Sequence, residues 1–316
     1  MAALVALALA ALLMAGCRQR PAATESGATT DGVVVAADGV LCDLSRTLVQ
    51  SAATVVCLVP AGEDPHGLRL TPEQRRQLAA AKRVYINGYG LTPSLAAWPG
   101  ARPVAKLAVP QSPLLEPGRP DRDPHVWHDP KQTQAMVAWL ARDLAQALPS
   151  QASAITRRAK TLDGLLGELD QWNRLQFATI PSEPGGHAPV IASDHRGFAS
   201  LARAYGLQDI ALVDGHSTSW SLRPQSLNQA LRWLRQHPVR QLFSETIPPS
   251  KALQRLSTLS GIAIAPKPVV ADGLAANAPS LPATTIANTC ALSEGLGGRC
   301  DAKSAQAIET RWRAIQ

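Results

Sequence analysis

The chain has 316 residues, with 31 Lys and Arg against 24 Asp and Glu for a formal net charge of +7, and 46% of its residues are hydrophobic. This is enough length and apolar material for two globular lobes, so disorder is excluded as the default. The basic residues are scattered and aromatics make up only 4%, which excludes the clustered, aromatic-interleaved stripe of a nucleic-acid binder; no nucleic-acid partner is expected.

Residues 1–16 are an almost unbroken apolar run, too short to span a bilayer comfortably, ending at Leu13-Met14-Ala15-Gly16-Cys17. Small residues just before a Cys have the form of a lipoprotein processing site. Residues 1–17 are therefore predicted to be a lipoprotein signal peptide with lipidated Cys17, and residues 18–31, rich in Pro, Thr, Ser and Gly, a flexible tether. The alternative is a plain signal peptide with Cys17 incidental. A periplasmic or cell-surface location, lipid-anchored to a membrane, is the expectation, with the chain a monomer. Assigning Cys17 to lipid leaves Cys42, Cys57, Cys290 and Cys300, which can form two disulfides in an oxidising compartment. Of three pairings, Cys42 with Cys57 and Cys290 with Cys300 is favoured, and four buried thiols are the alternative. No C-x-x-C pair is present to suggest a Cys-rich metal site.

Beyond residue 31 short β-branched runs alternate with longer helical patterns, predicting an α/β fold of parallel sheets flanked by helices. Strands are expected at Val33-Val34-Val35-Ala36 and over residues 54–59. Thr71-Pro72-Glu73-Gln74 offers a capping box with Pro at the first helical position, opening a helix that should end near Ala81. A strand over 83–87 and a helix over 130–148 follow, the latter with apolar residues at Met136, Val137, Leu140, Leu144 and Leu148. Between Pro149 and Pro181 the chain is proline-free and amphipathic, with Ile155, Ala159, Leu162, Leu166, Leu169, Trp172 and Leu175 on one face. One helix there would extend on the order of 40 Å, enough to join two lobes rigidly; a break at Gly164 is the alternative. Strands are then expected at 189–193, 210–213, 241–244 and 267–271, and helices at 198–205, 227–235 and 251–260. The implied division is an N-terminal α/β lobe at 32–148, a linker helix at 149–180 and a C-terminal α/β lobe at 181–316.

In open parallel sheets ligands sit beyond the carboxyl ends of strands. Asp64-Pro65-His66 follows the second strand, Ser193-Asp194-His195 and Asp272 follow later ones, and Asp123-Pro124-His125 precedes a helix. Three imidazoles and a carboxylate form a tetrahedral set suited to zinc. The twice-used Asp-Pro-His tripeptide strengthens the case, because Pro fixes the local backbone and aims the side chain after it.

Gly62-Glu63-Asp64-Pro65-His66 with Thr71-Pro72, then Asn87-Gly88, Asp123-Pro124-His125-Val126-Trp127, and Ser193-Asp194-His195 with Phe198 and Tyr205-Gly206-Leu207 resemble the zinc/manganese substrate-binding proteins of ABC importers. The resemblance covers nearly the whole chain beyond the tether. It implies two α/β lobes joined by a long rigid helix and a metal site in the interlobe cleft, with His66, His125, His195 and Asp272 as ligands. It further implies high-affinity capture of a divalent transition metal, delivery to the permease subunit of an ABC transporter, and no enzymatic activity. Manganese-preferring relatives typically carry Glu where this chain has His195, and imidazole suits zinc better, so Zn2+ leads as the transported ligand, with Mn2+ or iron(II) as alternatives. No His-rich loop precedes the second motif: residues 110–123 contain no His. On the family pattern Glu245 points toward the cleft and orients a ligand imidazole. His128 is either an alternative ligand or an outer hydrogen-bond donor, with a solvated place at a helix end the favoured reading. His187, His216 and His237 are read as surface or turn residues. The rival function is a secreted zinc hydrolase with water in the fourth position and Glu245 or Asp194 as base. The chain contains neither H-E-x-x-H nor G-x-S-x-G.

Overall fold

A computed structural model of the chain describes residues 32–115, 120–212 and 224–316. Cys17, the apolar leader, the tether and His216 lie outside these residues.

The first sheet is built from β1 (Val33–Ala36), β2 (Thr54–Cys57), β3 (Arg83–Ile86) and β4 (Ala101–Pro103), all parallel in the order β2-β1-β3-β4. Helices α1 (Gly39–Val49) and α2 (Pro72–Ala80) connect β1 to β2 and β2 to β3, and α3 (Val104–Ala108) and α4 (Pro130–Ala147) follow β4. Alternate side chains feed two cores. Val34, Ala36 and Tyr85 pack with α1 and α4, whereas Val35, Val84 and Ile86 pack with Leu58, Leu78 and Leu95 on the other face. Coverage of both faces is what an all-parallel sheet requires. The capping box at α2 forms as expected, Gln74 N–H donating to Thr71 Oγ1 at 3.2 Å and Thr71 N–H to Gln74 Oε1 at 3.0 Å.

The long helix α5 (Ala152–Phe177) runs for 26 residues without a break at Gly164, about 39 Å at 1.5 Å per residue. Ile155, Leu162, Leu166, Leu169 and Trp172 are buried along it, but Leu175, expected on the same face, is exposed. The second sheet follows, with β5 (Val190–Ser193), β6 (Gln208–Ala211) and β7 (Leu242–Phe243) in the parallel order β6-β5-β7. It is flanked by α6 (Ala199–Tyr205), α7 (Pro224–Gln236) and α8 (Lys251–Ser260).

The strand expected at 267–271 does not form. Pro268 has no N–H to give a ladder, and the Asn288 side chain takes the place of a neighbouring strand: its Oδ1 accepts from Val270 N–H at 2.8 Å and its Nδ2 donates to Val270 O at 2.7 Å. Two further helices, α9 (Leu281–Gly295) and α10 (Ala302–Arg313), fold back on α5. Leu281, Ile286, Ala305, Ile308 and Trp312 thereby join the core that also holds α1 and α4. The buried Asp43 of α1 secures this return, accepting from Leu281 N–H at 2.9 Å and Trp312 Nε1–H at 3.1 Å. Disulfides pair Cys42 with Cys57 and Cys290 with Cys300, with Cα separations of 5.6 and 5.0 Å.

Candidate metal centre

His66 and His195 lie just past the carboxyl ends of β2 and β5, His125 lies ahead of α4, and Asp272 lies in the loop before α9. One potential ligand atom from each falls within 4.8 Å of the other three. The imidazoles surround the carboxylate. His125 Nε2 is 2.9 Å and His66 Nε2 3.2 Å from Asp272 Oδ1, and His195 Nε2 is 3.6 Å from Asp272 Oδ2. The Nε2 atoms of His66 and His195 are buried and make no well-directed hydrogen bond beyond their approach to this carboxylate, an arrangement that a bound cation would satisfy. Four ligands at zinc distance would stand roughly 3.3 Å apart in a tetrahedron, close to the 2.9, 3.2 and 3.6 Å separations between these imidazoles and the carboxylate.

The two Asp-Pro-His tripeptides set their histidines by the same device. Asp64 Oδ1 accepts from His66 N–H at 2.7 Å, and Asp123 Oδ1 accepts from His125 N–H at 2.9 Å. In the second copy the carboxylate does more. Asp123 Oδ1 also pairs with His125 Nδ1 at 2.9 Å, leaving Nε2 to face the cluster. Asn87, just past β3, donates from Nδ2 to Pro124 O at 2.6 Å and holds the same loop. Sequence reasoning passed over both Asp123 and Asn87 as site residues. The repeated tripeptide was the available signal for the first, since Asp two residues before a backbone N–H is a common local acceptor.

Glu245 Oε1 pairs with His195 Nδ1, which turns His195 Nε2 inward. His128 is not solvated as favoured from sequence. It is 2% exposed, packs beside Trp127 and Phe198, and its Nε2 lies 2.9 Å from Ala271 O, next to Asp272. Asp194 is fully buried and accepts from Ser250 Oγ at 3.0 Å. His187 is exposed and His237 stacks on Trp233 at a helix end.

Charge follows from this packing. Burial disfavours a cationic His125, but its hydrogen bonds to Asp123 and Asp272 prevail and push its pKa up to about 10. For His195 burial is likewise outweighed by the charge of Glu245, and its pKa is raised. Burial would raise the Asp272 carboxyl, yet the hydrogen bond from His125 and the ring of His66 hold it well below the usual carboxylate range. His128 goes the other way, burial pushing it down to about 4, so it is a neutral donor to Ala271 O. The centre is thus a carboxylate ringed by three imidazoles, two of which, His125 and His195, neighbouring carboxylates hold toward the charged form.

Fold and site together define a metal-binding protein of the two-sheet α/β kind. The chain belongs to the family described as zinc-uptake complex component A, periplasmic (ZnuA), which matches residues 34–295. Similar proteins include the manganese-binding lipoprotein MntA of Halalkalibacterium halodurans, 25% identical over 266 residues covering 81% of this chain and 84% of that protein. The zinc-binding protein TroA of Treponema pallidum is 25% identical over 237 residues, 72% of this chain and 75% of that one. Among solved structures, Fe(III)-bound YtgA from Chlamydia trachomatis superposes with a TM-score of 0.76 at 20% identity, covering 85% of this chain and 99% of that one. TroA gives 0.74 at 21% identity, covering 84% and 99%. At these identities the superpositions bear on the fold alone.

Proposed function

We propose that the protein captures one divalent transition metal ion, zinc in preference to manganese or iron(II), and delivers it to the permease of an ABC importer. The observation that carries this reading is the convergence of His66, His125, His195 and Asp272 within 4.8 Å, with the buried Nε2 atoms of His66 and His195 turned to the Asp272 carboxylate. His66 and His125 come from residues 32–148 and His195 and Asp272 from residues 181–316, so one ion would bind the two lobes to each other across α5. Three imidazoles favour zinc over manganese on ligand softness. MntA and TroA, named for manganese and zinc respectively, mark the range of cargo in similar proteins. Glu245 and His128 serve as outer partners, the first aiming His195 and the second steadying the backbone beside Asp272.

Binding rather than hydrolysis follows from the fourth group. With Asp272 facing the same point as the three imidazoles, a tetrahedral ion keeps no position for an activated water. The hydrolase alternative also loses Asp194 as a base, since that buried carboxylate is occupied by serine hydroxyls. Attachment to the membrane through a lipid on Cys17 completes the proposal and would keep the protein near its permease. The test is calorimetric titration of zinc and manganese into the protein and into His195→Ala. One zinc per chain is expected, bound more tightly than manganese, with an affinity loss in the variant exceeding the 10–100-fold typical of removing an outer partner. Equal zinc affinity in the variant would overturn the site, and tighter manganese binding would reverse the cargo.

A further inference from the structure

Ser200 is tied to one of the four clustered groups, His125, through a single carboxylate, that of Asp123. It is fully buried on α6. Its N–H and Oγ both donate to Asp123 Oδ2, at 2.9 and 2.7 Å, across 77 residues of sequence. The opposite oxygen of that carboxylate, Oδ1, accepts from the backbone and Nδ1 of His125, each at 2.9 Å. Asp123 is itself fully buried, so its two oxygens are divided: one serves His125 in its own lobe, the other is held by the opposite lobe. Nearby contacts follow the same seam. Phe198, just before α6, packs on His128 with ring centroids 4.9 Å apart, and Arg203 Nη1 donates to Gln111 O at 2.9 Å.

We propose that Ser200 is a positioning residue that couples cleft closure to the ligating strength of His125. With the lobes together, Ser200 fixes the Asp123 carboxylate in the rotamer that keeps Oδ1 on His125 Nδ1. That presents Nε2 to the metal and strengthens it as a donor, as a carboxylate behind a metal-bound imidazole does. When the lobes part, Asp123 loses both donors from α6, its carboxylate is free to turn, and His125 holds the ion less well. Opening therefore weakens a ligand as well as exposing the ion. The inference rests on the metal-capture reading above.

The test compares zinc affinity and the rate of zinc loss to a chelator for the full chain, Ser200→Ala, Asp123→Asn and the double variant, with the melting temperature of each metal-free protein. Ser200→Ala should weaken zinc binding about tenfold, mainly through faster loss. Because Ser200 acts through Asp123, the double variant should bind no worse than Asp123→Asn alone. Additive losses, or a lower melting temperature in Ser200→Ala with unchanged zinc kinetics, would overturn the coupling and leave Ser200 with a packing role. Absence of zinc binding by the unsubstituted chain would instead defeat the capture reading itself.

Discussion

His125 shows what each ligand must do before it can hold a metal. It is 2% exposed, its Nδ1 is bonded to Asp123 and its Nε2 to Asp272. Its pKa of about 10 means that the metal-free protein holds this ring protonated at neutral pH, with His195 shifted upward as well. A metal must displace those protons, so affinity and pH are linked. The sign is fixed by the direction of the shift. The folded-state pKa of His125 lies above its unfolded value of 6.5, so the ion-paired ring stabilises the metal-free fold fully below about pH 6.5 and ceases to do so as pH rises toward 10. Zinc binding should strengthen over the same window. Calorimetry in buffers of different ionisation enthalpy should register at least about one proton released per zinc at pH 7. The gain in melting temperature on adding zinc should be larger at pH 9 than at pH 6. A gain that does not vary with pH would contradict the protonated-ring account.

The elements that carry the ligands were largely readable in advance, because each rests on local chemistry. The strand ends before His66 and His195, the capping box at Thr71 and the helix over α5 all express periodicity or turn residues that act within a few positions. The Asp-Pro-His repeat marks two loops for the same reason. What was not legible depends on contacts between distant residues. Nearly every position of α9 from Leu281 to Leu292 is buried, so it carries no polar stripe to set its period. The run at 267–271 has the buried Val269 and Ala271 of a strand, but beyond one bond from Val269 N–H to Ser244 O its backbone pairs with the Asn288 side chain. The burial of His128 depends on Phe198 and Ala271, 70 and 143 residues away, and no local pattern announces it. Gly197, between β5 and α6, belongs to this group of long-range constraints. A Cβ there would stand 2.3 Å from Ala271 Cβ and 3.4 Å from its Cα, beside Asp272. Gly197→Ala should therefore push the 271–272 backbone, destabilising the protein by about 1–3 kcal/mol and weakening zinc binding. Urea denaturation and zinc titration of the variant check both, and an unchanged zinc affinity would show that the Asp272 loop tolerates displacement.

Across the molecule, the cluster sits where segments from both sheets meet, and the loop bearing Asp272 belongs to neither alone. Ala271 packs in a core with Phe198 and Phe243 of the second half, while Leu274 packs in the core of the first, where Gly62 N–H also donates to its carbonyl at 2.7 Å. The chain then enters α9 and α10, which Asp43 fastens to α1. Asp272 is thus suspended between the two cores, with His66 and His125 on one side and His195 on the other. A cation bound by all four groups would draw the halves together without a large rearrangement of either. The anomalous signal of zinc in crystals of the zinc-loaded protein is the most direct measurement of this claim. The account expects a single site about 2.0–2.2 Å from Nε2 of His66, His125 and His195 and from one carboxylate oxygen of Asp272. Zinc found elsewhere, or held by only one half of the molecule, would contradict it.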